Sequence, residues 1–211
     1  TAHGLASNQV MPTIFGGALY FGATSATAGG ELWKSDGTTV GTVQVEDLNP
    51  GFPSTNPGQI SLAAGRMFFV GAAPGFFNGL WVTDGTVGGS TVLTESVLVA
   101  PFGTTTGDVQ ILSTVGANVF FIGSHPDASG GYHRFYFSDG TKAGTHLVKI
   151  IRTDDMSAGV AFPIAYDNRL IFMGTDVSNN AELWSSDGTS FGTYMLREFV
   201  PGNTTGGSPK D

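Results

Sequence analysis

The sequence predicts an all-β chain, a β-propeller of four tandem four-stranded antiparallel blades of about 48 residues each. Three observations predict it: one twelve-residue motif written four times, turn signals spaced regularly between short apolar runs, and a composition rich in glycine and phenylalanine. The motif reads ELWKSDGTTVGT (31–42), GLWVTDGTVGGS (79–90), RFYFSDGTKAGT (134–145) and ELWSSDGTSFGT (182–193). Its aspartates, Asp36, Asp84, Asp139 and Asp187, follow one another at intervals of 48, 55 and 48 residues. A period this long marks one supersecondary unit copied in tandem, which buries its apolar face only against its neighbours.

Each unit parses into four strands around two turns. The later turn is the Asp-Gly of the motif. The earlier one is Gly16-Gly17, Ala64-Gly65, Gly116-Ala117 or Asp167-Asn168, each followed by an apolar run (LYFGA, MFFVGA, VFFIGS, LIFMGT). Small or Asx residues that tolerate positive φ, set between β-prone stretches, read as hairpins. A strand such as QISLA (59–63) precedes that turn, and an alternating strand (VQVEDL, TVLTES, HLVKII or YMLREF) follows the motif. Every connection is short, so the unit is a meander, and the repeats fall at residues 8–54, 55–102, 103–157 and 158–205 of a single domain. A parallel β-helix has shorter coils and no Asp-Gly hairpins. Ring closure within one chain or with a second chain stays open at this level.

Composition bounds the partners. Gly 32 and Pro 10 among 211 residues are high, but 40% apolar content with 16 Phe supplies a core. Nine basic against 17 acidic residues give a net charge of -8 without any Lys/Arg cluster, so no nucleic-acid partner is expected. No apolar run approaches the roughly 18 residues of a membrane span, so no membrane insertion is expected. Absence of cysteine removes disulfides and thiolate chemistry. The chain begins at Thr1 and ends in PGNTTGGSP (201–209), which resembles the linker NPGFPSTNP (49–57). It is therefore expected to be a fragment of a longer array.

The ELWxSDGTxxGT strings, each followed by a strand, together with the PG-containing linkers, resemble the ELWxxDGT repeat of large secreted or surface-attached bacterial proteins. The resemblance covers almost the whole chain and implies an extracellular or cell-surface bacterial protein; it brings no catalytic residues with it. Gly79 and Arg134 replace the Glu of Glu31 and Glu182, so a strictly repeated Glu-based site is not expected. The turn also resembles the Asp box of sialidase-like propellers as a polar hairpin clasp, but its spacing differs and it implies no sialidase activity.

Turn and core chemistry explain the motif. In the pairs Asp36-Gly37, Asp84-Gly85, Asp139-Gly140 and Asp187-Gly188 the glycine takes positive φ while Asp, Ser and Thr side chains cap nearby N–H groups. The second glycine (Gly41, Gly89, Gly144, Gly192) is expected to admit the strand that follows. Trp33, Trp81, Tyr136 and Trp184 are expected to pack blade against blade. One Asp per turn falls far short of the roughly six to eight oxygens of a calcium site, so no cofactor and no metal are expected in the turns; calcium is the one cation the acidic surface leaves open.

Specific function is sought where the repeat breaks its symmetry. The 55-residue interval lengthens the linker VLVAPFGTTTGD (97–108) and the loop GSHPDASGGYHR (123–134). That loop gathers His125, Asp127, Tyr132, His133 and Arg134, a candidate polar-ligand or weak metal site. Phe76 and Phe77, adjacent in the loop APGFFNG, are further contact candidates, because two neighbouring residues of a strand cannot both point inward. Asp154-Asp155 reads as a solvated linker pair and His146 as a strand-surface residue. No catalytic fingerprint of the common hydrolase or nucleotide-binding kinds is present. The expectation is a non-catalytic extracellular binding or adhesion module for glycans or cell-surface proteins. The alternatives are a self-associating structural block, forming a larger ring or filament, and a glycan-acting enzyme.

Overall fold

The computed structural model describes residues 12–50, 54–73, 76–94, 109–125, 132–152, 160–175 and 181–199. Four sheets of four strands lie in these stretches. The first holds β1 (Thr13–Phe15), β2 (Ala18–Ser25), β3 (Gly29–Ser35) and β4 (Val43–Gln44); the second, β5 (Gly58–Ala63), β6 (Arg66–Ala73), β7 (Phe76–Thr83) and β8 (Ser90–Val92). The third holds β9 (Val109–Val115), β10 (Asn118–His125), β11 (Tyr132–Ser138) and β12 (His146–Arg152); the fourth, β13 (Val160–Tyr166), β14 (Arg169–Thr175), β15 (Ala181–Ser186) and β16 (Tyr194–Arg197). Strands pair antiparallel in chain order within every sheet. This is the β-propeller fold, in four blades. No helix of the described residues is long and apolar enough to cross a membrane.

The first hairpin of each blade uses the predicted residues. Ala64-Gly65 (φ +47 and +70) and Asp167-Asn168 (φ +57 at the second) both stand in the left-handed region that a two-residue hairpin matching strand twist requires. The closing strands are shorter than predicted: β4 is two residues and β8 three. Both are edge strands of their sheets and pair on one side only. Bonding nonetheless continues, since Val45 N–H donates to the Leu32 carbonyl (2.8 Å) and Leu93 N–H to that of Leu80 (2.7 Å).

Two compact units divide the chain, Thr1–Thr94 and Glu95–Asp211. In the first, Leu32, Met67 and Phe69 are fully buried with Tyr20, Trp81 and Val92 around them. In the second, Phe120, Phe135, Leu170 and Phe172 form the core with Trp184. Phe135 of the third blade meets Phe172 of the fourth at 4.9 Å between ring centroids. Each such buried ring is worth roughly 1.5–3 kcal/mol in transfer free energy, and all of them come from the second and third strands, whose continuous apolar runs are buried on both faces.

Candidate functional site

The Asp-Gly turns are closed by hydroxyls. Thr38 donates its N–H (2.9 Å) and its hydroxyl (2.8 Å) to one oxygen of Asp36. Gly41 N–H donates to Thr38 Oγ1, and the Ser35 and Thr42 hydroxyls stand 2.7 Å apart beneath. Thr86 on Asp84, Thr141 on Asp139 and Thr189 on Asp187 repeat the double bond. Gly37, Gly85, Gly140 and Gly188 sit at φ between +82° and +94°. The threonine donors hold the carboxyls of Asp36, Asp84 and Asp187 below the usual aspartate range by favouring the charged form. Asp187 also faces Arg169 at 3.7 Å. The second glycine differs from expectation: a Cβ at Gly41, Gly89, Gly144 or Gly192 would strike the aspartate carboxylate of its own turn. It makes room for the Asp rather than for the strand that follows.

The motif aromatics divide by blade. Trp81 and Trp184 are buried, and their indole N–H groups donate to the carbonyls of Gly71 (3.2 Å) and Gly174 (3.1 Å). Trp184 reaches the preceding blade, where the Lys149 ammonium lies 4.7 Å from its ring. Tyr136 is buried and stacked on Phe121 at 5.0 Å. Trp33 is only half-buried. Ahead of Trp33, the fully buried Glu31 accepts the N–H of Thr55 (2.9 Å) and of Leu48 (3.4 Å), binding the linker to the next blade. Burial pushes its carboxyl above the usual glutamate range against the pull of these donors. The motif therefore holds a linker clasp that its appearance as turn and core does not disclose.

Much of the third-repeat loop is strand. β10 runs through His125 and β11 starts at Tyr132, leaving 126–131, with Asp127, outside the described residues. His125 pairs with Tyr132 and Ser124 with His133. Alternation along the strands therefore assigns positions 125 and 133 to opposite faces of the blade. Arg134, opposite Gly123, is half-buried and bonds the Tyr136 phenol. Phe76 and Phe77 open strand β7, with Phe76 paired to Ala73, rather than lying in a loop. Among the described residues no group of three or more His, Asp or Glu could hold a metal ion.

The most unusual surface among the described residues lies on β13. Ala161 faces Met173 and Ile164 faces Ile171, so β13 carries one extra residue there, a β-bulge. Phe162 stands in that bulge at φ +52, a left-handed backbone that bulky side chains rarely adopt. Its ring is 84% exposed, and Ile164 (62%) and Tyr166 (71%) are exposed farther along the strand. β5 has the same bulge with Gln59 at φ +43, but Gln59, Ser61 and Ala63 hold the equivalent positions. Aligning the first strands of the repeats would have exposed this contrast in the sequence.

No family model matches the chain, and no curated protein matches it. Solved structures do. Zg3597, a family 117 glycoside hydrolase of the marine bacterium Zobellia galactanivorans, is 13% identical over 92% of this chain and 71% of its own, with a TM-score of 0.42. An α-L-arabinofuranosidase from Clostridium thermocellum is 13% identical over 92% of this chain and 73% of its own, at 0.40. The β-propeller domain of the Trilobed protease from Pyrococcus furiosus is 13% identical over 90% and 69%, at 0.35. At these values the likeness is one of fold. The expectation of a non-catalytic binding or adhesion module is corrected: similar structures include two glycosidases, and nothing among them supports a non-catalytic assignment.

Proposed function

We propose that the chain handles carbohydrate, with β13 of the fourth blade as the surface on which a sugar ring rests. The observation that carries this reading is Phe162, an 84% exposed ring held on a left-handed bulge. Such a conformation costs about 1–2 kcal/mol, and an exposed ring recovers none of it through packing. What the bulge provides is direction: it fixes an aromatic face beside Tyr166 and Ile164 in water. An aromatic face suits the C–H side of a pyranose ring while the sugar hydroxyls stay hydrated, and exposed apolar clusters of this kind mark contact sites. The first strands of the other three blades carry Thr13, Ser61 and Ser113 where β13 carries Ile164, so among the described residues they do not repeat this surface. A secreted or cell-surface setting, implied by the resemblance to the ELWxxDGT repeat, is where such a surface meets polysaccharide.

The test is a panel of soluble polysaccharides, with binding followed by calorimetry and bond cleavage by release of reducing ends. Cleavage is measured because glycoside hydrolysis needs two carboxyl groups about 5–10 Å apart, and Asp127, Asp154 and Asp155 lie outside the described residues. Phe162→Ala with Tyr166→Ala is expected to abolish binding. The rival location, the third-repeat hairpin, is addressed by His125→Ala with His133→Ala. Binding that survives the first pair and fails in the second would move the site to that hairpin, and no binding by the intact chain would end the carbohydrate reading.

A further inference from the structure

The fourth blade departs from the repeat a second time, at the hairpin that joins β13 to β14. Three blades make that turn from side chains without polar atoms, Gly16-Gly17, Ala64-Gly65 and Gly116-Ala117. The fourth uses Asp167-Asn168, both at positive φ (+47 and +57) and both exposed. Aspartate, asparagine and glycine all tolerate the left-handed region, so the turn itself is satisfied by either choice. What changes is that a carboxylate and a carboxamide stand in water directly after Tyr166, at the end of the strand that carries Phe162 and Ile164.

Charge around them is one-sided. Arg169, opposite Tyr166 across the hairpin, is the one cation of β13 and β14. Its guanidinium is turned to the motif turn of its own blade: Nε donates to Ser185 Oγ (2.6 Å), Nη2 donates to the Gly192 carbonyl, and Nη1 lies 3.7 Å from Asp187. Asp187 thus answers Arg169, and among the described residues no ion pair answers Asp167, on a chain whose net charge is -8. From Phe162 to Asp167 the strand spans about 15 Å at roughly 3.3 Å per residue, less what the bulge takes up, which is longer than a single sugar ring.

We infer that Asp167 is the specificity-determining residue of this surface, which takes a neutral polysaccharide along β13 and reads two adjacent hydroxyls of one of its sugars. The inference rests on the carbohydrate reading of β13 given above. An ionised carboxylate only accepts, and its two oxygens suit two neighbouring O–H donors. Asn168 adds an amide that both donates and accepts. With the hairpin's one cation paired to Asp187, the charge of Asp167 repels uronates and sulfated sugars.

Calorimetry on the intact chain tests this, with neutral polymers (a mixed-linkage glucan, a galactan and an arabinan) set against anionic ones (polygalacturonate, alginate and a carrageenan). A neutral polymer is expected to bind at least about tenfold more tightly than any anionic one, with little change in affinity between about 20 and about 300 mM sodium chloride. Asp167→Gly should weaken that binding about tenfold at a nearly unchanged thermal midpoint, since Gly16 serves in the equivalent turn. Asp167→Asn, which keeps the turn and an acceptor but removes the charge, should narrow the preference over anionic polymers. Should Asp167→Gly fail to fold, the wild-type preference and the asparagine variant still decide. Tighter, salt-sensitive binding of an anionic polymer would overturn the inference, as would full binding of the neutral polymer by Asp167→Gly. In either case, loss of binding in Phe162→Ala with Tyr166→Ala would leave the carbohydrate reading standing. Binding of no polymer by the intact chain would end both.

Discussion

Tyr20 donates its phenol to the carbonyl oxygen of Gly85 at 3.2 Å, tying the second strand of one blade to the Asp-Gly turn of the next. Lys34 Nζ reaches the same oxygen at 3.0 Å. In the second unit His146 Nε2 lies 3.0 Å from the carbonyl of Gly188. Gly85 and Gly188 thus have two uses: the positive φ closes the glycine's own hairpin, and its carbonyl receives the preceding blade.

Tyr20→Phe should cost about 1 kcal/mol, because Lys34 still satisfies the shared carbonyl. Lys34→Met alone should cost less. Together they leave a buried acceptor unpaired, so the double variant should lose about 1–3 kcal/mol beyond the sum. Urea midpoints measure all three, and simple additivity would mean that the two donors do not share Gly85.

Gly37→Ala and Gly41→Ala should destabilise for different reasons. Gly37 has open space around its missing Cβ and stands at φ +92, so the penalty is the left-handed backbone alone, about 1 kcal/mol. At Gly41 the added methyl collides with the Asp36 carboxylate and breaks its bonds to Thr38, about 1–3 kcal/mol. Removing the carboxylate removes the collision. In an Asp36→Ala background the cost of Gly41→Ala should fall below about 0.5 kcal/mol while that of Gly37→Ala persists. Equal costs in both backgrounds would refute this role for the second glycine.

These glycines show how far the sequence was legible. The hairpin residues Ala64-Gly65 and Asp167-Asn168, the motif turns and the apolar second and third strands follow from local chemistry, so four blades could be read directly. The glutamate clasp could not, since it joins Glu31 to a backbone N–H 24 residues away and only the folded linker brings them together. The loop around His125 and His133 was read from its length, but strand pairing, which length does not show, extends β10 and β11 into it. Phe162 is not legible as a surface residue, because VAFPIAY has the composition of a core strand and only the bulge exposes the ring.

Stability should peak between acid and neutral pH. Asp36, Asp84 and Asp187 have folded-state pKa values below the unfolded ones, so their contribution is present above about pH 4 and is lost as pH falls through the lowered values. Glu31 acts with the opposite sign. Its folded pKa is raised, the folded state binds its proton more tightly, and stability declines as pH rises from about 4.3 through the raised value. Thermal midpoints against pH should therefore fall on both sides of a maximum near about pH 4–5. Glu31→Gln should flatten the upper limb and leave the acid limb; an unchanged upper limb would show that Glu31 is not its source.

Phe162→Gly should lower function without lowering stability. Glycine adopts φ +52 without strain, which returns about 1–2 kcal/mol, against roughly 0.5–1 kcal/mol of added backbone entropy in the unfolded chain. Almost no burial is lost, because the ring is 84% exposed. The thermal midpoint should therefore hold or rise slightly, while polysaccharide binding falls at least about tenfold through loss of the stacking face. Gln59→Gly, at the same bulge of the second blade, should leave binding unchanged. If Phe162→Gly destabilises the chain, the ring is packing and not presented; if binding is retained, the sugar surface lies elsewhere.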